Sequence, residues 1–232
     1  MRFNTGQLEI PPHKSLYLHK VARHMSISKK LFIVGASGHT GSYLVQFALE
    51  AGHKVTAYSR KEMDIMNPEF QLIQGDIMLS DNLDAAMAGH DAVLSAIGPR
   101  SGGLNVLYQG MQRLIEAAKQ SGVKRLLGIG GAGILEADDT HLVRDMPDFP
   151  DFLKEISAAH YLSYELLTNS GLDWTFICPP MMQAGERTGQ YRHQAEKALP
   201  NATAIRFADV ADLMLECAEE DLYLRRRVAI AY

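Results

Sequence analysis

Gly35, Gly38 and Gly41 recur at three-residue intervals in "LFIVGASGHTGSYLVQFALEAGHKVTAYSRKE", residues 31–62, between an apolar run and a helix-like run. That spacing suits one chemistry. Gly35 permits a tight turn, Gly38 removes a side chain where backbone has to approach a pyrophosphate, and Gly41 lets the helix's first turn pack on the strand. The free N–H groups that open the helix, with the positive end of its dipole, then face the phosphates. A glycine pattern alone is a weak signal. Here it follows a strand pattern, opens an amphipathic helix and precedes a second strand at the expected distance, which favours dinucleotide binding over a merely structural turn.

The end of that second strand reads the ribose. NAD-preferring sites carry an acid there, whereas this chain offers Ser59, Arg60 and Lys61. Arg60 suits a 2′-phosphate through charge-assisted bonds, so NADP(H) is expected over NAD(H); the plainer reading is a solvated basic cluster. Asp76 in "QGDI" is placed either to accept from an adenine amino group or to cap a turn. "SAIGP" at 95–99 and "GIGGAG" at 128–133 put small residues at the ends of two more strands. A ribose could approach there, though turns alone would use the same residues.

Such a site needs a sheet to position it. Strand patterns occupy Leu31–Gly35, Lys54–Ser59, Phe70–Gln74, Ala92–Ser95, Arg125–Ile129, Trp174–Cys178 and Arg227–Ala231. Helix patterns fill Thr40–Ala51, Asn82–Met87, Asn105–Ser121, Phe152–Ser170 and Ala208–Glu219. This alternation implies βαβ units, and so an α/β fold: a doubly wound parallel sheet of the Rossmann kind. Gly52 and Gly122 serve as helix stops, and Ser80 or Asp81 can cap a short helix. Leu135–Asp151 and Pro179–Thr203 resist the alternation and are expected to be loops covering a substrate at the carboxyl ends of strands.

At 232 residues, one domain spanning 29–232 is the default. Residues 1–28 read as a disordered basic extension, or as a start upstream of Met25, because four Lys or Arg and three His there face the single acid Glu9. A formal charge of −4, with 47% hydrophobic residues and no long apolar run, suggests neither a nucleic-acid surface nor a membrane span. Cys178 and Cys217 lack ligand or disulfide spacing, so they are expected to be half-buried thiols of a cytoplasmic protein. The histidines lack metal-ligand spacing, and no metal is expected.

"GASGHTG", Gly75-Asp76, "SAIG", "GGAG" followed by Leu135-Glu136, "MPDFP", "SGLDWTFICPP" and "GERTGQY" together resemble the atypical short-chain dehydrogenase/reductase group of NAD(P)H-binding proteins. NmrA-like proteins, proposed NADH-flavin reductases and biliverdin reductase B belong to this group, and the resemblance runs from about Lys30 to Tyr232. It implies that Gly35, Ser37, Gly38, His39, Thr40 and Gly41 line the pyrophosphate, that Arg60 meets the 2′-phosphate, and that Asp76 and Ile77 meet the adenine. Ala96, Ile97, Gly98 and Pro99 would face the riboses, and Cys178, Pro179 and Pro180 the nicotinamide amide. Where biliverdin reductase B has a serine after its fifth strand, this chain has Gly131 or Ala132, which weakens any hydroxyl-assisted role.

Conventional short-chain reductases protonate an alkoxide with a Tyr followed four residues later by Lys. Here Tyr161 is followed by Glu165 and Tyr164 by Thr168. A flavin or quinone acceptor needs no such acid, since the added charge spreads over its rings and water can protonate it. The expected function is therefore NADPH-dependent hydride transfer to a flavin, quinone or similar planar acceptor. The alternative is a non-catalytic NADP(H)-binding redox sensor acting on a protein partner. His160, expected to open the helix beneath the nicotinamide, is the candidate proton donor; the plainer reading makes it a surface residue.

Overall fold

A computed structural model describes residues 27–79, 82–99 and 103–232. The basic extension up to residue 26, and the proposed cap at Ser80 or Asp81, lie outside the described residues. In chain order the elements are β1 (Lys30–Val34), α1 (His39–Glu50), β2 (Lys54–Ser59), β3 (Phe70–Gln74), α2 (Leu83–Met87), β4 (Ala92–Ser95), α3 (Asn105–Ser121) and β5 (Arg125–Ile129). They continue with α4 (Lys154–Thr168), β6 (Asp173–Cys178), β7 (Met181–Gln183), β8 (Arg192–Ala195), β9 (Ala204–Arg206), α5 (Phe207–Glu219) and β10 (Arg226–Ala231).

The main sheet has the order β3-β2-β1-β4-β5-β6-β10-β8. Every pairing in it is parallel except that of β8, which returns antiparallel along β10. The chain reverses its direction of travel across the sheet between β1 and β4, the switch point at which open α/β sheets leave a crevice. The central strands read as unbroken apolar runs because both faces are covered. Leu31 to Val34 and all four residues of β4 are buried. Helices α1 and α5 pack together over one face, and α2, α3 and α4 over the other.

Three features depart from the sequence expectations. The stretch Pro179–Thr203 is not irregular, since it holds β7 and β8, and β7 pairs in parallel with β9. These strands are three or four residues long, too short to carry a legible apolar alternation; their partners define them. Ser28, assigned to the extension, donates its hydroxyl to Gly52 O at 2.7 Å and belongs with the domain. Both thiols are fully buried rather than half-buried. Burial pushes Cys217 up to about 12 and Cys178 higher still, so neither is a thiolate near neutral pH.

Candidate functional site

The carboxyl ends of β1 to β6 form one edge, and backbone hydrogen bonds carry their register beyond the strands. Gly35 N donates to Tyr58 O (3.1 Å), Ala96 N to Val34 O (2.9 Å) and Gly75 N to Ser59 O (3.0 Å). On the far side Gly130 N donates to Ile177 O (2.7 Å) and Ala132 N to Pro179 O (2.9 Å).

The three glycines of the first turn do different work. Gly35 has φ +74°, and a Cβ there would stand 2.8 Å from Ala96 O. At Gly41 a Cβ would fall 2.1 Å from Gly35 O, so helix and strand end meet backbone to backbone. Gly38 has φ −78° and only a tight contact of 3.1 Å with Gly35 O, so folding does not demand glycine there. It is the N-cap of α1 and supplies no side-chain cap, so the N–H groups of the helix's first turn, from His39 to Gly41, stay open to an anion. A pyrophosphate fits this cradle. Ser37 and His39 are exposed beside it and Thr40 is buried. The His39 ring meets Phe207 edge-on at 4.7 Å.

At the ribose end, Ser59 Oγ donates to Ser37 Oγ at 2.7 Å, joining the glycine turn to the tip of β2. Arg60 stands beside them, half exposed, with a nitrogen 3.8 Å from the Asp76 carboxylate. Asp76 also accepts from Met78 N at 2.9 Å and so caps its own turn. The side chain of Ile77 is buried in the core against α3, leaving its backbone to face the cleft. Ala96 and Ile97 are half-buried, Pro99 likewise, and the Cβ direction of Gly98 is open.

The nicotinamide end differs more from expectation. The glycines of "GIGGAG" leave space that the chain's own side chains fill. A Cβ on Gly128 or Gly130 would strike Phe176, one on Gly131 would stand 3.1 Å from the His160 ring, and one on Gly133 would stand 2.6 Å from Ser157 Oγ. His160 does not open its helix and is not on the surface: it is the seventh residue of α4 and is buried against the end of β5. Burial pulls its pKa down to about 4, so near neutral pH the ring is uncharged and is no imidazolium donor. Its Nδ1, like Ser157 Oγ, is buried without a hydrogen-bond partner among the described residues. Ser157 thus brings a hydroxyl from α4 beside Gly133, just past the end of β5, which the sequence does not announce. Cys178 turns its Sγ toward Phe176 O, 3.3 Å away in the core, so only its backbone and the following prolines can meet a nicotinamide.

The segment "GERTGQY" is fastened over the cofactor end by carboxylates that sequence reasoning missed. Buried Asp209, in the first turn of α5, accepts from Thr188 N, Gly189 N and Thr188 Oγ1 at 2.8–2.9 Å and from the Tyr232 hydroxyl at 2.5 Å. Asp212, one turn on, holds Arg187 at 3.2 Å and the Tyr191 hydroxyl at 2.8 Å. Tyr43 of α1 donates to Gly185 O at 3.3 Å. The only sequence signal was the unusual placing of two acids on the apolar face of a helix.

Residues 35–221 match the NAD(P)H-binding family. The uncharacterized protein YwnB of Bacillus subtilis is 29% identical over 196 residues, which is 82% of this chain and 91% of that one. Among solved structures, a proposed exported protein from Burkholderia pseudomallei aligns with TM-score 0.79 and 32% identity over 88% of this chain and 100% of its own. A proposed NADH-flavin reductase from Streptococcus pneumoniae aligns with TM-score 0.78 and 28% identity over 88% and 99%. No helix among the described residues is long and apolar enough to cross a membrane.

Gly41→Ala is expected to cost about 3 kcal/mol in urea denaturation, the upper part of the usual overpacking penalty. Gly38→Ala should keep its stability within about 1 kcal/mol yet lose cofactor affinity in calorimetry. For His160, the folded pKa lies below the unfolded one, so acidification draws protons to the unfolded chain and stability falls between pH 6.5 and about 4. Between pH 7.5 and 4.5 the native chain should lose roughly 2–3 kcal/mol more than His160→Leu does. Parallel pH profiles for the two proteins would show that the ring is not buried uncharged.

Proposed function

The chain belongs to the NAD(P)H-binding family, and from that premise we propose that it is an oxidoreductase that prefers NADPH and passes hydride to a flavin, quinone or comparable planar acceptor. The observation that carries this reading is the chemistry of α4 where it meets the end of β5. There the helix offers an uncharged His160 and the hydroxyl of Ser157. Its tyrosines are occupied elsewhere: Arg144 lies over Tyr161 at 5.5 Å and Arg227 over Tyr164 at 4.5 Å, with no lysine one turn on from either.

Such a site has little means of protonating an alkoxide, but a conjugated ring does not ask for it. A bound reduced nicotinamide supplies a hydride, two electrons and one hydrogen nucleus; the acceptor's second proton comes from water. The protein's part is placement. The amides that open α1 hold the diphosphate, the Ser37–Ser59 pair fixes the tip of β2, and the segments after β5 and β6 exclude water from the far end.

Arg60 supports the coenzyme preference because the tip of β2 carries no acid to repel a 2′-phosphate. A phosphate there competes with Asp76 for the guanidinium, which is a surface pair of small worth. Arg60→Ala should therefore weaken NADPH binding roughly 10- to 100-fold and NADH binding by less than about 3-fold, the loss of a charge-assisted contact to one coenzyme only. Equal losses would reject the preference. Steady-state NADPH oxidation with riboflavin, FMN and a quinone tests the reaction itself. Tight coenzyme binding without turnover on any of them would remove the enzyme reading in favour of the sensor.

A further inference from the structure

We propose that Arg227 is the positioning residue of the acceptor pocket. From β10 its buried guanidinium fastens the two segments, 132–145 and 179–198, that rise over the ends of β5 and β6. The inference rests on the reading of those ends as the site of hydride transfer.

The second segment is also held by the pairing of β7 with β9 and of β8 with β10, and by Asp209, Asp212 and Tyr43 along 185–191; what ties it to the first segment is narrower. No residue from 136 to 156 is fully buried, and none from 181 to 200. Ile134 and Leu135 root the first segment in the core, and Val143, Ala198 and Leu199 pack on it in part, so what is left to polar ties is how the two segments stand against each other beyond those roots. Arg227 itself is 5% exposed. Its Nε donates to Glu196 Oε2 at 2.7 Å and its Nη2 to Glu136 Oε1 at 3.1 Å, one carboxylate from each segment. Nη1 donates to the carbonyl of Ile134, which closes the glycine run after β5. The residue's own N–H donates to Glu196 Oε1 at 3.1 Å, so that carboxylate is gripped at both oxygens. The guanidinium plane lies over the Tyr164 ring of α4 at 4.5 Å.

The backbone confirms that the segments converge on this point. Glu136 N donates to Glu196 O at 3.0 Å, Ala198 N to Glu136 O at 2.8 Å, and Glu196 N to Arg227 O at 2.9 Å. Glu196 holds φ 62°, a left-handed conformation that a non-glycine residue adopts only when its surroundings impose it. A lysine could not replace this arrangement, because one ammonium on a flexible stem cannot span two carboxylates and a carbonyl in a plane. Removing the fork would loosen the two segments against each other and leave the α1 cradle, four strands away, untouched.

The test compares Arg227→Met, Arg227→Lys and Glu196→Gln with the native chain by hydrogen exchange, NADPH calorimetry and acceptor kinetics at saturating NADPH. For Arg227→Met the expected results are amide exchange about 10-fold faster or more in 132–145 and 181–198 only, NADPH affinity within about 2-fold, and acceptor KM raised about 10-fold with a smaller change in kcat. Arg227→Lys should fall between. Should Arg227→Met fail to fold, Glu196→Gln, which leaves the cation with Glu136, is expected to loosen 181–198 alone. Native exchange in both segments, faster exchange spread evenly through the sheet, or an unchanged acceptor KM would each overturn the proposal. If the native chain oxidises NADPH with none of riboflavin, FMN or a quinone, the hydride reading falls, and the exchange pattern alone then decides whether Arg227 braces the two segments.

Discussion

The carbonyl oxygen of Gly35 and the α-carbon of Gly41 meet where no side chain could stand between them. That contact sets the angle at which α1 leaves β1, and the angle aims the first amides of the helix across the sheet edge. Gly35 in turn is pinned from both neighbouring strands, by its N–H to Tyr58 O and by its close approach to Ala96 O. A seven-residue stretch thereby ties together β1, β2, β4 and α1. This turn is built almost wholly of main chain, and at Gly35 and Gly41 it leaves no room for a side chain.

The opposite half is built on another principle. Past β5 the glycines do not open space for a ligand; they admit Phe176, His160 and Ser157 from neighbouring elements. Buried charge then replaces apolar packing as the means of holding loops, with Arg227 on one side and Asp209 with Asp212 on the other. Ion pairs of this kind are poor sources of net stability, but they are directional, and direction is what a pocket wall requires. An uncharged His160 and the Ser157 hydroxyl are the polar groups that α4 brings to the end of β5, beside Phe176.

Much of this was legible in the sequence wherever the determinant is local. Lys54–Ser59, Phe70–Gln74, Ala92–Ser95, Arg125–Ile129 and the helix Asn105–Ser121 have the boundaries expected from apolar runs and their glycine stops. The glycine turn was readable for the same reason, since φ at Gly35 is a property of a few residues. What escaped was tertiary. Strands β7 to β9 are too short to show a period. Arg227 sits in "RRRV", where alternation gives no sign of which arginine is swallowed and which stays in water. The orphaned Ser157 looks, in sequence, like any small polar residue of a helix. The depressed titration of His160 depends on Phe176 and Gly131 reaching it from β6 and the end of β5, neither of which is near it in the chain.

Because 136–156 contributes no fully buried side chain, its length and composition weigh little on the folding energy of the sheet, whereas 181–200 carries β8 and with it one edge. Drift in 137–156 therefore changes the surface beside the ends of β5 and β6 without disturbing the glycine turn or the arginine on the tenth strand with its two acids. The architecture thus separates what must be kept to grip a coenzyme from what is at liberty to explore new chemistry.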